Sequence, residues 1–222
     1  MELPVFIING FLESGKTAFI KDTLKGEDFN DGTRSLIIAC EDGEEEYSEI
    51  EMQKVNAKVV FVEDMDEFTK EFFIAKCNES KAERVFVEFN GMWNLGDFID
   101  KLPSFMPVAQ IITLVNAETY DMYLANMKQL MMEQYKLSEM VIINRCTKDS
   151  DRAAYRRSVK AVNGRAQVYF ESPTEVPMKL KRYCRLTLLK MRLILPTVIT
   201  ESGIWMQWII LKNMTVKLLK LK

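Results

Sequence analysis

The stretch that decides the fold is IINGFLESGKTAF, residues 7–19. Its first residues continue a β-branched and aromatic run that is typical of a buried strand, and Ala18, Phe19 and Ile20 begin a helical pattern. Two glycines therefore lie in a turn between a strand and a helix. Residues 10–17, GFLESGKT, fit the pattern G-x-x-x-x-G-K-[ST] at every fixed position. In this setting the pattern indicates a loop that binds the phosphates of a nucleotide.

The residue types of this loop suit a phosphate ligand. Glycines let the backbone N–H groups point inward, Lys16 can reach the outer phosphates, and the hydroxyl of Thr17 suits Mg²⁺. The helix that begins near Gly15 adds the positive end of its dipole. We therefore predict that the nucleotide is bound by Gly10, Glu13, Ser14, Gly15, Lys16, Thr17 and Ala18.

Composition narrows the class of protein. A chain of 222 residues with 48% hydrophobic and 28% charged residues is long enough for one globular domain with an appendage. No apolar run approaches the roughly 18 residues that span a bilayer, and the start lacks signal-peptide features, so we expect a cytoplasmic protein without a membrane span. The four cysteines form no C-x-x-C pair, and the chain has no histidine. Catalysis must then use carboxylates, lysine, backbone dipoles or a metal ion.

Seven apolar runs with strand character recur along the chain, at residues 4–8, 36–39, 58–62, 84–87, 109–115, 140–143 and 166–170. Helical patterns lie between most of them, for example at residues 67–77, 117–135 and 149–162. This alternation predicts an α/β fold with a mostly parallel sheet and helices on both faces. Ligands of such sheets bind at the carboxyl ends of the strands, so residues directly after each run are the candidates for function.

Acidic residues follow two of these runs. The run VFVEFNG, residues 85–91, ends a strand with Glu88 and places Gly91 three residues further on. Glu88 can hold Mg²⁺ through water or orient an attacking water, and the Gly91 amide can contact a terminal phosphate. Glu41 lies in CEDGEEE, residues 40–46, where a mobile nucleotide-sensing loop would place Mg²⁺ ligands. The simpler alternatives are a strand-end acid before a turn and the acid-rich first turn of a helix.

The sixth run leads into INRCTKD, residues 143–149. In many GTPases a strand ends here in N-K-x-D, whose aspartate accepts the guanine N–H groups. Asn144 fits the asparagine position, Arg145 can stack on a base as the lysine stem does, and Thr147 stands at the aspartate position. A hydroxyl cannot reproduce the two contacts of a carboxylate, so the choice between GTP and ATP stays open.

Taken together, GFLESGKT, CEDGEEE, VEFNG and INRCT resemble the CobW-like P-loop GTPases over roughly residues 3–175. The resemblance implies slow Mg²⁺-dependent GTP hydrolysis as a conformational switch, linked to metal homeostasis or cofactor assembly and raised by an unknown protein client or by homodimerisation. It also implies roles for individual residues. By position, Lys16 and Thr17 bind phosphate and Mg²⁺, and Glu41 falls in the family's switch segment. Glu88 and Gly91 form the family's E-x-x-G motif, and Asn144 faces the base. The catalytic residues implied are Lys16 and Glu88.

The chain departs from the family pattern at three places. Glu13 stands where the loop usually has glycine, and N-K-x-D has lost its lysine and aspartate. The C-x-C-C metal-binding motif expected between the second and third strands is absent, because residues 47–62 contain no cysteine. Metal delivery through that motif is therefore not expected.

The last 45 residues, 178–222, differ from the rest in charge. They hold ten Lys or Arg and one acid, a net charge of +9, whereas residues 1–177 hold 20 basic and 31 acidic residues, a net charge of −11. A membrane-surface or nucleic-acid tail is one interpretation. We favour a frame shift near Met178, because the back-translated tail read two nucleotides later can encode an acidic continuation. We thus divide the chain into a nucleotide-binding domain, 1–177, and an atypical tail, 178–222, and expect no nucleic-acid partner.

Two other functions remain compatible with the sequence. A small-molecule kinase can use the same loop, but residues 90–140 contain no arginine-rich lid. A module that holds nucleotide without turning it over is compatible with the altered N-K-x-D segment.

Overall fold

The computed structural model describes residues 2–26, 29–41, 43 and 45–172. The predicted boundary after residue 177 and both interpretations of the tail lie outside these residues.

Seven strands form one sheet in the described part of the chain. They are β1 (Val5–Asn9), β2 (Ser35–Ala39), β3 (Ala57–Phe61), β4 (Arg84–Glu88), β5 (Val108–Asn116), β6 (Met140–Asn144) and β7 (Gln167–Phe170). Their order is β3-β2-β4-β1-β5-β6-β7, and every neighbouring pair is parallel. The predicted α/β fold is confirmed, and each of the seven apolar runs corresponds to a strand.

Helices connect the strands, as parallel pairing requires. They are α1 (Lys16–Lys25), α2 (Glu49–Lys54), α3 (Lys70–Ser80), α4 (Leu95–Lys101), α5 (Tyr120–Asn126), α6 (Lys128–Lys136) and α7 (Arg152–Val162), with a 3₁₀ turn at Met65–Glu67. None of the helices described is long and apolar enough to span a bilayer.

One predicted helical stretch, residues 117–135, is two helices. The interruption falls at Met127, whose backbone leaves the helical region with φ −134°. The side-chain amide of Asn126 donates to the carbonyl of Met122 at 2.8 Å. Side chains that bond to the backbone in this way compete with the backbone hydrogen bonds of a helix. The spacing of apolar residues gives no sign of such a bond.

Both faces of the sheet are buried, and this explains why the strands read as unbroken apolar runs. In β1, Val5 and Ile7 belong to the hydrophobic cluster on one face, whereas Phe6 and Ile8 belong to the cluster on the other. The same alternation continues along the neighbouring strands, so the sheet is held between two packed layers.

The strand order gathers the candidate residues at one edge of the sheet. β1 lies between β4 and β5, and Ile8 pairs with Glu88 at the end of β4. Glu88 also pairs with Ala39, the last residue of β2. On the other side, Asn116 at the end of β5 pairs with Asn144 at the end of β6. The loop after β1 therefore has the ends of four other strands around it.

Candidate functional site

The loop between β1 and α1 needs its glycines. Gly10 and Gly15 have φ of 142° and 90°, which side chains other than glycine rarely adopt. A Cβ at Gly10 would also collide with the backbone carbonyl of Leu114. The side chain of Asn9 fixes the first turn by accepting the Gly10 N–H at 2.8 Å. The loop is thus a compact cradle that opens onto the N-terminus of α1.

Glu13 adopts the left-handed conformation with φ 58° and is exposed. This is the loop position where the resembled family usually has glycine. A non-glycine residue held in that conformation costs roughly 1–2 kcal/mol. The departure at Glu13 is therefore tolerated as local strain at the mouth of the loop.

Lys16 is buried, with 3% of its surface exposed. Its ammonium donates to the carbonyls of Gly10 and Phe11, each at 2.9 Å. It also forms an ion pair with Oε2 of Glu41 at 2.5 Å. The other oxygen of that carboxylate, Oε1, accepts the N–H of Gly91 at 3.1 Å. The structure thus brings four predicted site residues together at the phosphate loop: Gly10, Lys16, Glu41 and Gly91.

Thr17 and Glu88 meet next to this group. The hydroxyl of Thr17 donates to Oε1 of Glu88 at 2.7 Å. The phenol of Tyr47 donates to the other oxygen of Glu88. Glu88 is 5% exposed, and burial raises the pKa of its carboxyl, although the hydrogen bonds from Tyr47 and Thr17 and the charge of Lys16 act in the opposite direction.

Tyr47 is a site residue that the sequence analysis missed. Burial and the adjacent charge of Glu88 raise the pKa of its phenol, so Tyr47 stays a neutral donor. The only signal in the sequence was its place six residues after Glu41, in the segment that follows β2. Asp42 and Glu44 of that segment lie outside the described residues.

Gly91 is buried and packs directly on the loop. A Cβ at this position would meet the carbonyl of Gly10, so only glycine allows the approach. The carbonyl of Gly91 accepts the side-chain amide of Gln134, in α6, at 2.9 Å. Gln134, which is 5% exposed, is a second residue that sequence reasoning missed. It orients the turn that presents the Gly91 N–H.

Asn144 contacts the loop from the opposite side. Its side-chain amide donates to the carbonyl of Ser14 at 2.7 Å and lies 3.2 Å from the position of a Cβ at Gly15. Asn144, which was predicted to contact the base of the nucleotide, therefore also stabilises the phosphate loop. Arg145 is exposed, with φ 53°.

Thr147 is engaged in a local turn. Its N–H donates to the hydroxyl of Ser150 at 2.9 Å, and its own hydroxyl accepts the N–H of Asp149 at 3.3 Å. The position where an N-K-x-D segment has its guanine-reading carboxylate thus holds a neutral, locally bonded hydroxyl.

The residues present fit a nucleotide with Mg²⁺. The side-chain N of Asn9, the hydroxyl of Ser14 and the side-chain O of Asn144 are buried without a hydrogen-bond partner among the described residues. Such orphaned groups around a cradle of backbone N–H groups suit a polar ligand. Thr17 and Glu88 offer hydroxyl and carboxylate oxygens side by side, the donor types that Mg²⁺ prefers. Within the described ranges, no three His, Cys, Asp or Glu side chains form a metal cluster.

A parallel sheet with this strand order, a glycine-rich loop after β1, a buried lysine and a threonine at the start of α1 define a P-loop nucleoside triphosphatase fold. Residues 4–170 match the family model described as CobW/HypB/UreG, nucleotide-binding domain. The chain belongs to this family of nucleotide-binding domains.

Solved structures show the same fold at low sequence identity. The Zn(II)-bound YjiA GTPase from E. coli is 16% identical with a TM-score of 0.61, and the match covers 81% of this chain and 61% of that one. HypB from Helicobacter pylori in complex with nickel is 14% identical with a TM-score of 0.57, covering 89% and 91%. HypB from Archaeoglobus fulgidus is 14% identical with a TM-score of 0.55, covering 84% and 90%. No curated protein sequence matches the chain significantly.

Proposed function

We propose that this chain binds a nucleoside triphosphate, foremost GTP, with Mg²⁺ and hydrolyses it slowly as a conformational switch in the cytoplasm. The observation that carries the proposal is the pair of contacts at the start of α1. Lys16 is buried in the phosphate loop with its ammonium at the loop carbonyls, and Thr17 bonds to Glu88 at 2.7 Å. Phosphate-binding and Mg²⁺-binding groups are therefore adjacent, as phosphoryl transfer requires.

The residues act by positioning and charge stabilisation. The loop N–H groups between Gly10 and Ala18 and the N-terminus of α1 hold phosphate oxygens. Lys16 places a positive charge where negative charge develops during transfer, in a buried site where that charge acts strongly. Gly91 offers its N–H to the terminal phosphate.

Thr17 and Glu88 would hold Mg²⁺, which neutralises phosphate charge and supplies electrostatic stabilisation of the transition state. Both oxygens of Glu88 already accept hydrogen bonds, one from Thr17. This contact favours the metal-binding role of Glu88, through water, over the alternative role of orienting the attacking water. Glu41 remains a candidate ligand only if it leaves Lys16.

Membership of the family favours GTP as the nucleotide. The residues at the N-K-x-D position, however, provide only weak selectivity for guanine over adenine. Asn144 and Arg145 stand at the asparagine and lysine positions of the N-K-x-D pattern, but the hydroxyl of Thr147 is engaged in its own turn. A missing carboxylate removes two hydrogen bonds to guanine, and a hydrogen bond to a charged group contributes about 1.5–3 kcal/mol. We therefore expect a preference for GTP over ATP that is smaller than in GTPases with an aspartate at this position.

Our proposal of a protein partner rests on the family and not on a binding site observed in this chain. We propose an unknown protein client connected with metal homeostasis or cofactor assembly, and turnover that a client or a homodimer raises. Zinc and nickel belong to the relatives in which they were found. No transition metal is assigned to this chain.

Competition binding tests the proposal. A fluorescent guanine nucleotide is bound to the purified full chain in the presence of Mg²⁺ and displaced with GTP or with ATP, and phosphate release is then measured with GTP. We expect GTP to displace the probe at lower concentration than ATP, and phosphate release to be slow. Probe binding without phosphate release would support the non-hydrolysing module instead.

The matched variants are Lys16→Ala and Lys25→Ala. Both remove one lysine from α1, but Lys25 is half exposed and pairs with the surface acid Glu51 at 3.2 Å. We expect Lys16→Ala to abolish probe binding and Lys25→Ala to leave it within about twofold of the original, since a surface pair contributes little. Equal binding by both variants would refute the phosphate loop as the binding site.

A further inference from the structure

The carboxylate of Glu41 occupies two donors that a terminal phosphate would use. One oxygen lies 2.5 Å from the ammonium of Lys16, and the other accepts the N–H of Gly91 at 3.1 Å. The Glu41 side chain is 8% exposed, so this is a buried contact and not a surface pair. The two oxygens of the Glu41 carboxylate are bound to one carbon atom and bridge the two donors. A phosphate group, whose oxygens share one phosphorus atom, can bridge them in the same way.

Both donors are held in place by other contacts. Lys16 has three N–H protons, and all three are used: by Gly10, by Phe11 and by Glu41. Gly91 is fixed by its packing on Gly10 and by the bond from Gln134. Neither donor can move aside to serve Glu41 and a phosphate together. A phosphate at this point must therefore displace the carboxylate.

From these contacts we propose that Glu41 is a specificity-determining residue that distinguishes nucleoside triphosphates from diphosphates. The inference rests on the proposed nucleotide function of the same site. A diphosphate ends one phosphate earlier and can leave the bond between Glu41 and Gly91 in place. A triphosphate cannot, because its terminal phosphate needs the Gly91 N–H and carries the same sign of charge as the carboxylate. Only the triphosphate then breaks both contacts of Glu41, whereas a diphosphate competes for Lys16 alone.

This role differs from the predicted role of Glu41 as a Mg²⁺ ligand. A ligand would strengthen nucleotide binding when Mg²⁺ is present and have no effect when it is removed. A carboxylate that competes with the terminal phosphate weakens triphosphate binding in either condition, and most when no Mg²⁺ screens the phosphates. Removal of Mg²⁺ therefore separates the two roles.

The test measures dissociation constants of GDP and of guanosine 5′-(β,γ-imido)triphosphate by calorimetry, first with EDTA and then with Mg²⁺. The readout is the ratio of the triphosphate constant to the diphosphate constant. With EDTA, Glu41→Gln is expected to lower this ratio by about tenfold, the equivalent of ~1.4 kcal/mol. Glu46→Gln removes one exposed acid from the same segment and is expected to change the ratio less than about twofold.

Glu41→Asp separates bridging from charge. It keeps the negative charge but shortens the arm by one CH₂, so it cannot hold both donors, and we expect it to lower the ratio as well. A thermal melt confirms that each variant is folded. An unchanged ratio in Glu41→Gln, or Glu41→Asp behaving as the original chain, would overturn the proposal. So would weaker binding seen only with Mg²⁺, which identifies a metal ligand. If no form binds either nucleotide, the proposed function itself is refuted.

Discussion

Replacing Tyr47 by phenylalanine removes one hydroxyl from the buried carboxylate of Glu88 and keeps the aromatic ring. A hydrogen bond to a charged group contributes about 1.5–3 kcal/mol, and Glu88 is 5% exposed, so water does not readily replace the lost donor. For a domain of this size, 1 kcal/mol shifts the melting temperature by about 2–4 °C. Tyr47→Phe should therefore lower the melting temperature of the free protein by roughly 3–12 °C. The bond from Thr17 remains and places the expectation in the lower half of that range.

The assay is thermal unfolding followed by circular dichroism, first with EDTA and then with Mg²⁺ and a non-hydrolysable triphosphate. Bound Mg²⁺ neutralises Glu88, so the loss caused by Tyr47→Phe should shrink when the ligand is present. The control is Tyr169→Phe, since Tyr169 donates its hydroxyl to Gln167 at the surface. We expect the control to change stability by no more than about 0.5 kcal/mol.

Two results would refute this reasoning. A melting temperature for Tyr47→Phe equal to that of the unchanged protein would mean that the hydroxyl does not stabilise Glu88. A loss of the same size with and without the ligand would mean that the hydroxyl of Tyr47 is not connected with the Mg²⁺ side of the site.

Two further predictions concern single residues. Gly91→Ala places a Cβ against the carbonyl of Gly10, and overpacking of this kind should lower the free energy of unfolding by roughly 1–3 kcal/mol, measured by urea denaturation. It should also weaken triphosphate binding more than diphosphate binding, measured by calorimetry. Equal loss of both nucleotides would contradict the contact assigned to the Gly91 N–H. Burial raises the pKa of the Cys77 thiol to about 11, so the reactive thiolate is about one part in a thousand at pH 8 and increases as the pH rises. Peptide mapping after iodoacetamide treatment should show labelling of Cys77 that is slow at pH 8 and about tenfold faster for each unit up to pH 10, and rapid labelling at pH 8 would exclude the raised pKa.

Much of the fold and part of the site could be predicted because the signals are local. Each strand is buried on both faces, so it appears as an apolar run of β-branched residues, and the seven runs needed no knowledge of their neighbours. Gly10, Gly15, Lys16 and Thr17 are close in the chain because they belong to one turn between β1 and α1 and to the start of α1. Glu88 was identified for a related reason, since it ends a strand in a fold whose ligands bind at strand ends.

The break at Met127 shows where local patterns become insufficient. Residues 117–135 have a continuous helical pattern, yet the backbone leaves the helix at Met127. Apolar periodicity reports which face is buried and does not report a side chain, such as that of Asn126, that bonds to the backbone.

The sequence by itself determined that this protein has a parallel α/β sheet with a phosphate loop after its first strand. Only the tertiary structure decided what Glu41 and Tyr47 touch. Glu41 meets Gly91, which lies 50 positions later, and Tyr47 meets Glu88, which lies 41 positions later. Such pairs arise because β2 and β4 are neighbours in the sheet, and no spacing along the chain encodes that adjacency. A strand pattern depends on burial of consecutive residues, whereas these contacts depend on which strands pair.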